Sequence, residues 1–217
     1  MEKKVWYVAG ASKGLGLALT HKLLTQGYRV AASSRLLPCL IEATGGKTLE
    51  SFLPLEVDLA DERSVADSFQ AAWKTFGQID VVVNNAGLSA GTDTVIPSAM
   101  LWLHGQGHGH IIDIAPATSV DAGEEIRHTT VMLGAFRTRF LNGEAHTPQA
   151  MYVSIDGRQL ADPKKAAAAL IRLPLMAEPP AVLVLDSDAY RRSTTKMAEF
   201  DDQIEKDSRR LCRIARS

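Results

Sequence analysis

The sequence contains little of what marks several classes of protein. It has two cysteines, Cys39 and Cys212, in 217 residues, and their spacing fits neither a disulfide framework nor a metal site. Its 24 basic and 25 acidic residues leave a formal net charge of −1, so neither nucleic acid nor an anionic membrane is indicated as a partner. No apolar run reaches the roughly 18 residues of a membrane span. These absences favour a soluble, cytoplasmic protein.

The composition is that of an ordinary folded domain. Hydrophobic residues make up 46% of the chain and charged residues 23%, which argues against disorder. The length suits one sizeable α/β domain, and no repeat or low-complexity linker divides it. Residues 1–4 lead directly into an apolar stretch, so we expect no signal peptide. We therefore expect a single domain over residues 1–217.

The first thirty-five residues carry the clearest motif. The apolar run Val5–Ala9 meets Gly10, Gly14 and Gly16, and a helical pattern over Leu15–Gln26 follows. Glycines allow the backbone to approach a pyrophosphate, and the helix N-terminus offers free N–H groups and a positive dipole. The spacing Gly-x-x-x-Gly-x-Gly therefore indicates a nucleotide-binding turn, although an ordinary strand–turn–helix remains the alternative.

The end of the second predicted strand indicates which dinucleotide is bound. Arg29–Ala32 is followed by Ser33, Ser34 and Arg35. An acidic residue at this point binds the ribose 2′-hydroxyl, whereas an arginine suits a 2′-phosphate. Strand two offers Arg35 and no acid, and Lys13 lies in the glycine turn, so the pattern favours NADP(H) over NAD(H). The alternative is that both are solvated surface cations.

Two further strands complete the first half of the chain. Leu53–Val57 is predicted as a strand ending at Asp58, and a helix capped by Asp61 follows, closed by Gly77. Ile79–Val83 is predicted as the next strand, and Asn-Asn-Ala-Gly comes after it. Strands alternating with helices predict a parallel sheet.

These motifs together resemble the short-chain dehydrogenase/reductase family over residues 5–87 almost without a break. The resemblance implies a Rossmann-like, doubly wound parallel sheet and hydride transfer between a nicotinamide dinucleotide and a carbonyl/alcohol pair. Residues 1–87 form the intact cofactor half, and residues 88–217 a shortened substrate half. Ala9 stands where the family usually has threonine. By resemblance the cofactor would be bound by Gly10, Ser12, Lys13, Gly14, Leu15, Gly16, Arg35, Asp58, Asn84, Ala86, Gly87 and Thr138.

The second half resembles the family with pieces missing. Predicted strands and helices, in chain order, are Val95–His104, His110–Ala115, Arg127–Leu133, a helix that begins with Asp162 and Pro163, Ala181–Leu185, and a helix from Ala189 to about Arg213. Residues 134–138 look like the family's Pro-Gly-x-x-x-Thr, with Leu133 in the proline position, which is what implies a cofactor contact for Thr138.

The family's catalytic residues have no counterpart. Pro116 occupies the serine position after strand five, and no Tyr-x-x-x-Lys exists anywhere in the sequence. In the family the tyrosine hydroxyl exchanges a proton with the substrate oxygen, and the lysine four residues later lowers its pKa. We therefore name no catalytic residue. Tyr7 and Tyr28 lie in strands, Tyr152 precedes no lysine at that spacing, and Tyr190 opens the last helix.

Short connections explain this loss. Only the nine residues Ala117–Glu125 separate strands five and six, fewer than a parallel crossover with a helix usually needs. The family's dimer interface uses the missing helices, so its usual assembly cannot be expected. We expect Val81, Val83, Ile111 and Ile112 to face a poorly covered surface, and the isolated chain to be unstable or to associate non-specifically.

Other polar clusters allow weaker alternatives. His104, His108 and His110 could bind zinc or copper, although a glycine-rich linker is the simpler interpretation and we predict no metal. Ser119 could replace the missing serine if its loop folds back. A solvated turn is the simplest interpretation of the acidic residues Asp121, Glu124 and Glu125.

Three hypotheses for function follow. The first is an NADP(H)-dependent oxidoreductase by lineage, impaired because the serine, tyrosine and lysine are absent. The second is a non-catalytic NADP(H)-binding sensor or interaction module. The third is a defective product of a spliced or deleted gene. The substrate stays unknown in all three.

Overall fold

Seven parallel strands form one sheet in the computed structural model, which describes residues 3–45, 50–85, 94–114, 126–133, 162–185, 190–191, 194–195 and 198. The strands are β1 (Val5–Ala9), β2 (Arg29–Ser34), β3 (Phe52–Glu56), β4 (Val81–Asn84), β5 (Gly109–Asp113), β6 (Ile126–Leu133) and β7 (Val182–Leu185). Their spatial order is β3-β2-β1-β4-β5-β6-β7. This is the predicted Rossmann-like α/β fold.

Within the described ranges, five α-helices of seven or more residues connect and cover the strands. They are α1 (Gly14–Thr25), α2 (Leu37–Ala43), α3 (Glu62–Phe76), α4 (Val95–Gln106) and α5 (Pro163–Arg172). All except α2 were predicted. That helix has seven residues and no side-chain cap, and it begins beside Pro38, so it leaves no periodic pattern long enough to recognise.

Local end signals place the helix boundaries. The side chain of Asp61 accepts a hydrogen bond from Arg63 N, 3.0 Å away, and Gly77 ends α3 with a φ of 76°. Asp162 caps α5 in the same way by accepting from Lys164 N at 2.8 Å. Both caps and the glycine stop confirm the sequence predictions.

One face of the sheet packs against α1 and α5. The apolar core there joins residues of β1, β2, β4 and β5 to both helices; it includes Trp6, Val8, Leu19, Val81, Val83, Ile112, Ala167 and Leu170. The opposite core joins the sheet to α3 and α4; it includes Tyr7, Phe69, Phe76, Val82, Ala99, Leu103 and Ile111. Burial on both faces of central strands is typical of parallel sheets.

This packing shows that one expectation was wrong. Val81, Val83, Ile111 and Ile112 do not face a poorly covered surface, because all four side chains are fully buried. Adjacent residues of a strand point to opposite faces, so Ile111 lies against α4 while Ile112 lies on the α1 and α5 side. The connection between β5 and β6 is shorter than a crossover with a helix usually needs, but its length does not show that a helix from farther along the chain, α5, covers this face of the sheet.

Exposed apolar side chains lie elsewhere. Val182 on the edge strand β7 is 56% exposed, and Leu175 and Met176, a few residues before it, are also exposed. In the described ranges, no helix is long and apolar enough to cross a membrane. The predicted C-terminal helix falls almost entirely outside the described residues.

Candidate functional site

The sheet order reverses between β1 and β4, which both lie at its centre. Chain order moves outward from β1 through β2 to β3, then returns to β4 on the other side of β1. In doubly wound sheets the crevice beyond the carboxyl ends of the strands at this point is where ligands bind. The predicted glycine turn follows β1 and opens onto this crevice.

The backbone of the turn requires glycine at particular places. Gly10 has a φ of 72° and Gly14 a φ of 60°, in the left-handed region that other residues rarely adopt. A Cβ at Gly16 would lie 2.3 Å from the carbonyl oxygen of Gly10 and 2.6 Å from Nδ2 of Asn85. The first turn of α1 therefore packs directly on the end of β1.

Neighbouring strands hold this turn in place. The backbone N–H of Ala11 donates to the carbonyl oxygen of Ser33 in β2, with a distance of 2.8 Å. Nδ2 of Asn85, which follows β4, donates to the carbonyl oxygen of Gly10 at 2.9 Å. Asn85 was not among the site residues predicted from the sequence. In the sequence it appears only as the second residue of the asparagine pair at the end of β4, and its partner Gly10 lies 75 residues away.

The N-terminus of α1 is suited to an anion. No acidic residue lies in its first turn, and Lys13, at the N-cap position, is exposed and makes no capping hydrogen bond with its side chain. The free N–H groups and the positive end of the helix dipole favour a negative group there. Ser12 is half-buried beside Lys13, and Leu15 anchors the helix in the core.

The turn after β2 holds charges of both signs. Arg35 is exposed, and Ser34 is buried with its Oγ accepting from Leu36 N at 3.2 Å. Glu56, at the end of the neighbouring strand β3, accepts from Leu37 N through Oε2 at 3.3 Å. The sequence predicted a region without an acid after strand two, but the fold brings a carboxylate to it from strand three.

Asp58 lies on the loop after β3 and is exposed. Its Oδ1 accepts from Ala60 N at 3.0 Å, and its own N–H donates to Oγ of Ser64 at 3.1 Å. Both bonds fix the loop locally and leave the carboxyl side chain of Asp58 exposed.

A buried polar row crosses the carboxyl ends of β4, β5 and β6. Asn84, Asp113 and Thr130 occupy paired register positions, and each is less than 5% exposed. Nδ2 of Asn84 donates to Oδ1 of Asp113 at 2.9 Å. Asn84 is thus directed along the sheet, and its backbone carbonyl accepts from Ile114 N. Burial lowers the pKa of the nearby His128, while the Asp113 carboxylate opposes that shift.

The tyrosines among the described residues pack in the core or lie on the surface. Tyr7 is fully buried, stacks on Phe69 and bonds to Oγ of Ser68 at 2.7 Å; burial raises the pKa of its phenol. Tyr28 packs edge-on against Trp6. Tyr190 is 61% exposed.

The three histidines considered as an alternative metal site lie in different environments. His110 is buried in β5, whereas His104 and His108 are exposed, and Nε2 of His108 lies 3.8 Å from Asp80. Within the part of the chain that the structure describes, no three histidine, cysteine or acidic side chains converge as metal ligands would.

Several predicted positions lie outside the described residues. They are Ala86, Gly87, Pro116, Ser119, Asp121, Glu124, Glu125, Thr138 and Tyr152.

Comparison with known proteins supports the same fold and motif. A family model described as short chain dehydrogenase matches residues 4–102. The chain is 36% identical over 84 residues to an oxidoreductase of Botryotinia fuckeliana, covering 39% of this chain and 31% of that protein. It is 35% identical over 86 residues to a protein of Haemophilus influenzae named as a probable NADP-dependent dehydrogenase, covering 40% and 34%. The matches thus span about a third of these relatives.

Solved structures match over a longer range. A short-chain dehydrogenase of Streptomyces avermitilis superimposes with a TM-score of 0.77, covering 96% of this chain and 98% of that one at 22% identity. At this identity the likeness concerns the fold. It extends into the second half of the chain, which these sequence comparisons largely leave unmatched.

Proposed function

Because the chain belongs to the short-chain dehydrogenase/reductase family, we propose that it binds NADP(H) with little or no turnover. The observation that carries this proposal is the glycine turn between β1 and α1. Its left-handed glycines, the close approach of Gly16 to Gly10 and the uncapped helix N-terminus form a cradle for a pyrophosphate. When bound, NADPH would supply the hydride, and the glycine turn would hold its pyrophosphate.

Two cations support the choice of NADP(H) over NAD(H). Lys13 in the turn and Arg35 after β2 are both exposed, and neither has an ion-pair partner among the described residues. A 2′-phosphate gains from positive charge in this region, whereas a 2′-hydroxyl gains little. The Haemophilus influenzae relative carries NADP dependence in its name.

Impaired chemistry follows from the sequence. Carbonyl reduction needs a proton on the substrate oxygen as hydride arrives on carbon, and positioned acid–base groups typically contribute about 10²–10⁴-fold to such steps. The chain has no Tyr-x-x-x-Lys pair, and Tyr7 is committed to the core. We expect slow or absent turnover, which also keeps a non-catalytic NADP(H)-binding module as the second candidate. A defective gene product remains the third hypothesis, and it predicts no binding.

Calorimetric titration of the folded chain with NADPH and then NADH tests the proposal. We expect saturable binding that is tighter for NADPH. A Lys13→Gln, Arg35→Gln variant should lose at least about tenfold in NADPH affinity and change little toward NADH, since only the former carries the extra phosphate. Failure of a folded chain to bind either cofactor would contradict the proposal. NADPH oxidation with small carbonyls at ordinary enzyme rates would contradict the impaired chemistry.

A further inference from the structure

Glu56 is the acidic side chain closest in register to the end of β2. Strands β2 and β3 run parallel, and Ser34 pairs with Glu56 as the last residue of each strand. The next residue along β2 is Arg35. The end of β3 therefore brings a carboxylate alongside the turn in which the adenosine ribose of a dinucleotide is recognised.

Hydrogen bonds fix that carboxylate across the turn. Oε2 of Glu56 accepts from the backbone N–H of Leu37, two residues beyond Arg35. The intervening N–H of Leu36 is taken by Oγ of Ser34. The amides of Leu36 and Leu37 are thus already bonded to side chains of the protein and are not free for a 2′-phosphate.

The charges on either side of Arg35 act in opposite directions. Lys13 and Arg35 attract a phosphate, while an exposed carboxylate at hydrogen-bond distance from the same turn repels it. A carboxylate is also a strong acceptor for a ribose hydroxyl. The Glu56 side chain can therefore weaken the binding of NADP(H) and strengthen the binding of NAD(H).

We infer that Glu56 is a specificity-determining residue that reduces the preference for NADP(H) and keeps NAD(H) as a usable ligand. This inference rests on the proposed function, because it concerns the same dinucleotide site. Arg35 and Lys13 set the sign of the preference, and Glu56 limits its size. The acid arrives from β3, so the sequence around Arg35 gives no sign of it.

A Glu56→Gln substitution isolates the charge. Glutamine keeps an oxygen acceptor for Leu37 N, so the turn should remain in place. Affinity for NADPH should rise about three- to tenfold as repulsion is removed, whereas affinity for NADH should fall or stay constant. Titrations with 2′,5′-ADP and 5′-AMP should give the same divergence, because these probes differ only in the 2′-phosphate and carry no nicotinamide.

Matched variants separate this effect from a general change in charge. Glu178→Gln removes the same charge beside β7, at the opposite edge of the sheet, and should leave both affinities unchanged. Glu56→Lys should move the ratio further in the direction of Glu56→Gln. Thermal unfolding of each variant verifies that it is folded.

The outcomes distinguish the two proposals. A folded wild-type chain that binds neither dinucleotide overturns both the proposed function and this inference. A wild-type chain that binds NADPH, together with Glu56 variants whose NADPH/NADH affinity ratio is unchanged, overturns the inference alone. An equal shift in Glu178→Gln also overturns it, since the effect would then be long-range electrostatics.

Discussion

One hydroxyl group, on Thr129 of β6, links His110 of β5 to Pro180 just before β7. Oγ1 of Thr129 lies 2.8 Å from the carbonyl oxygen of Pro180 and 2.9 Å from Nε2 of His110. A carbonyl can only accept, so the single hydroxyl proton is donated to Pro180, and Nε2 of His110 must donate to Thr129. Nδ1 is buried without a partner among the described residues, so a second proton on the ring, and the charge it brings, is disfavoured there.

This histidine makes stability depend on pH. Burial, reinforced by the positive charges of Arg127, His128 and Lys4, lowers the pKa of His110 to about 4 from 6.5. The unfolded chain therefore binds the proton more readily than the folded chain, and the contribution to stability present above pH 6.5 is lost as the pH falls toward 4. Urea unfolding at pH 7.5 and pH 5 should show a loss of about 2 kcal/mol from this group.

A His110→Gln variant should lack that part of the pH dependence, since glutamine does not titrate and can still donate to Thr129. His104→Gln, at an exposed position of α4, is the matched control and should retain it. Equal pH slopes for His110→Gln and the wild type would contradict the assignment.

At the scale of the element, the turn between β1 and α1 depends on Gly16. Alanine there would bring a methyl group against the backbone oxygen of Gly10 and the side chain of Asn85, at 2.3 and 2.6 Å. We expect Gly16→Ala to destabilise the protein by about 1–3 kcal/mol and to abolish NADPH binding.

Gly105→Ala provides the control within another helix. Apart from its chain neighbours and the backbone of its own helix, no atom lies within 4 Å of a Cβ at Gly105 in α4. This change should therefore leave stability unchanged or raise it by up to about 1 kcal/mol. NADPH titrations and urea unfolding of both variants test the pair. Normal binding by Gly16→Ala would show that the turn tolerates a side chain and that its close approach is not needed.

At the scale of the whole molecule, we now expect association at the β7 edge rather than at the central strands. The central strands are buried, but β7 is an edge strand of the sheet that the described residues form, and Val182 on it is 56% exposed. Unprotected edge strands with apolar side chains pair with other chains. We expect light scattering to give a mass that rises with concentration, and Val182→Lys to shift it toward the monomer.

Leu101→Lys is the control, because Leu101 is 75% exposed on α4 rather than on an edge strand. It should change the association little. A wild-type chain that is monomeric at every concentration and melts cooperatively would contradict both this prediction and the expectation of instability.

The sequence by itself determined the features whose causes lie within a few residues. The glycine turn, the caps at Asp61 and Asp162 and the stop at Gly77 all follow from local backbone chemistry, and so does the order of strands and helices. The parallel sheet followed from that order and from the family motifs.

Only the tertiary structure decided which distant segments meet. α5, from beyond a long stretch of chain, joins the buried core that contains Val81 and Ile112, and Asn85 reaches Gly10 across 75 residues. Glu56 meets the turn after β2 because two strands lie side by side in a given register. Such contacts depend on the path of the chain in space, and neither periodicity nor residue type at one position encodes that path.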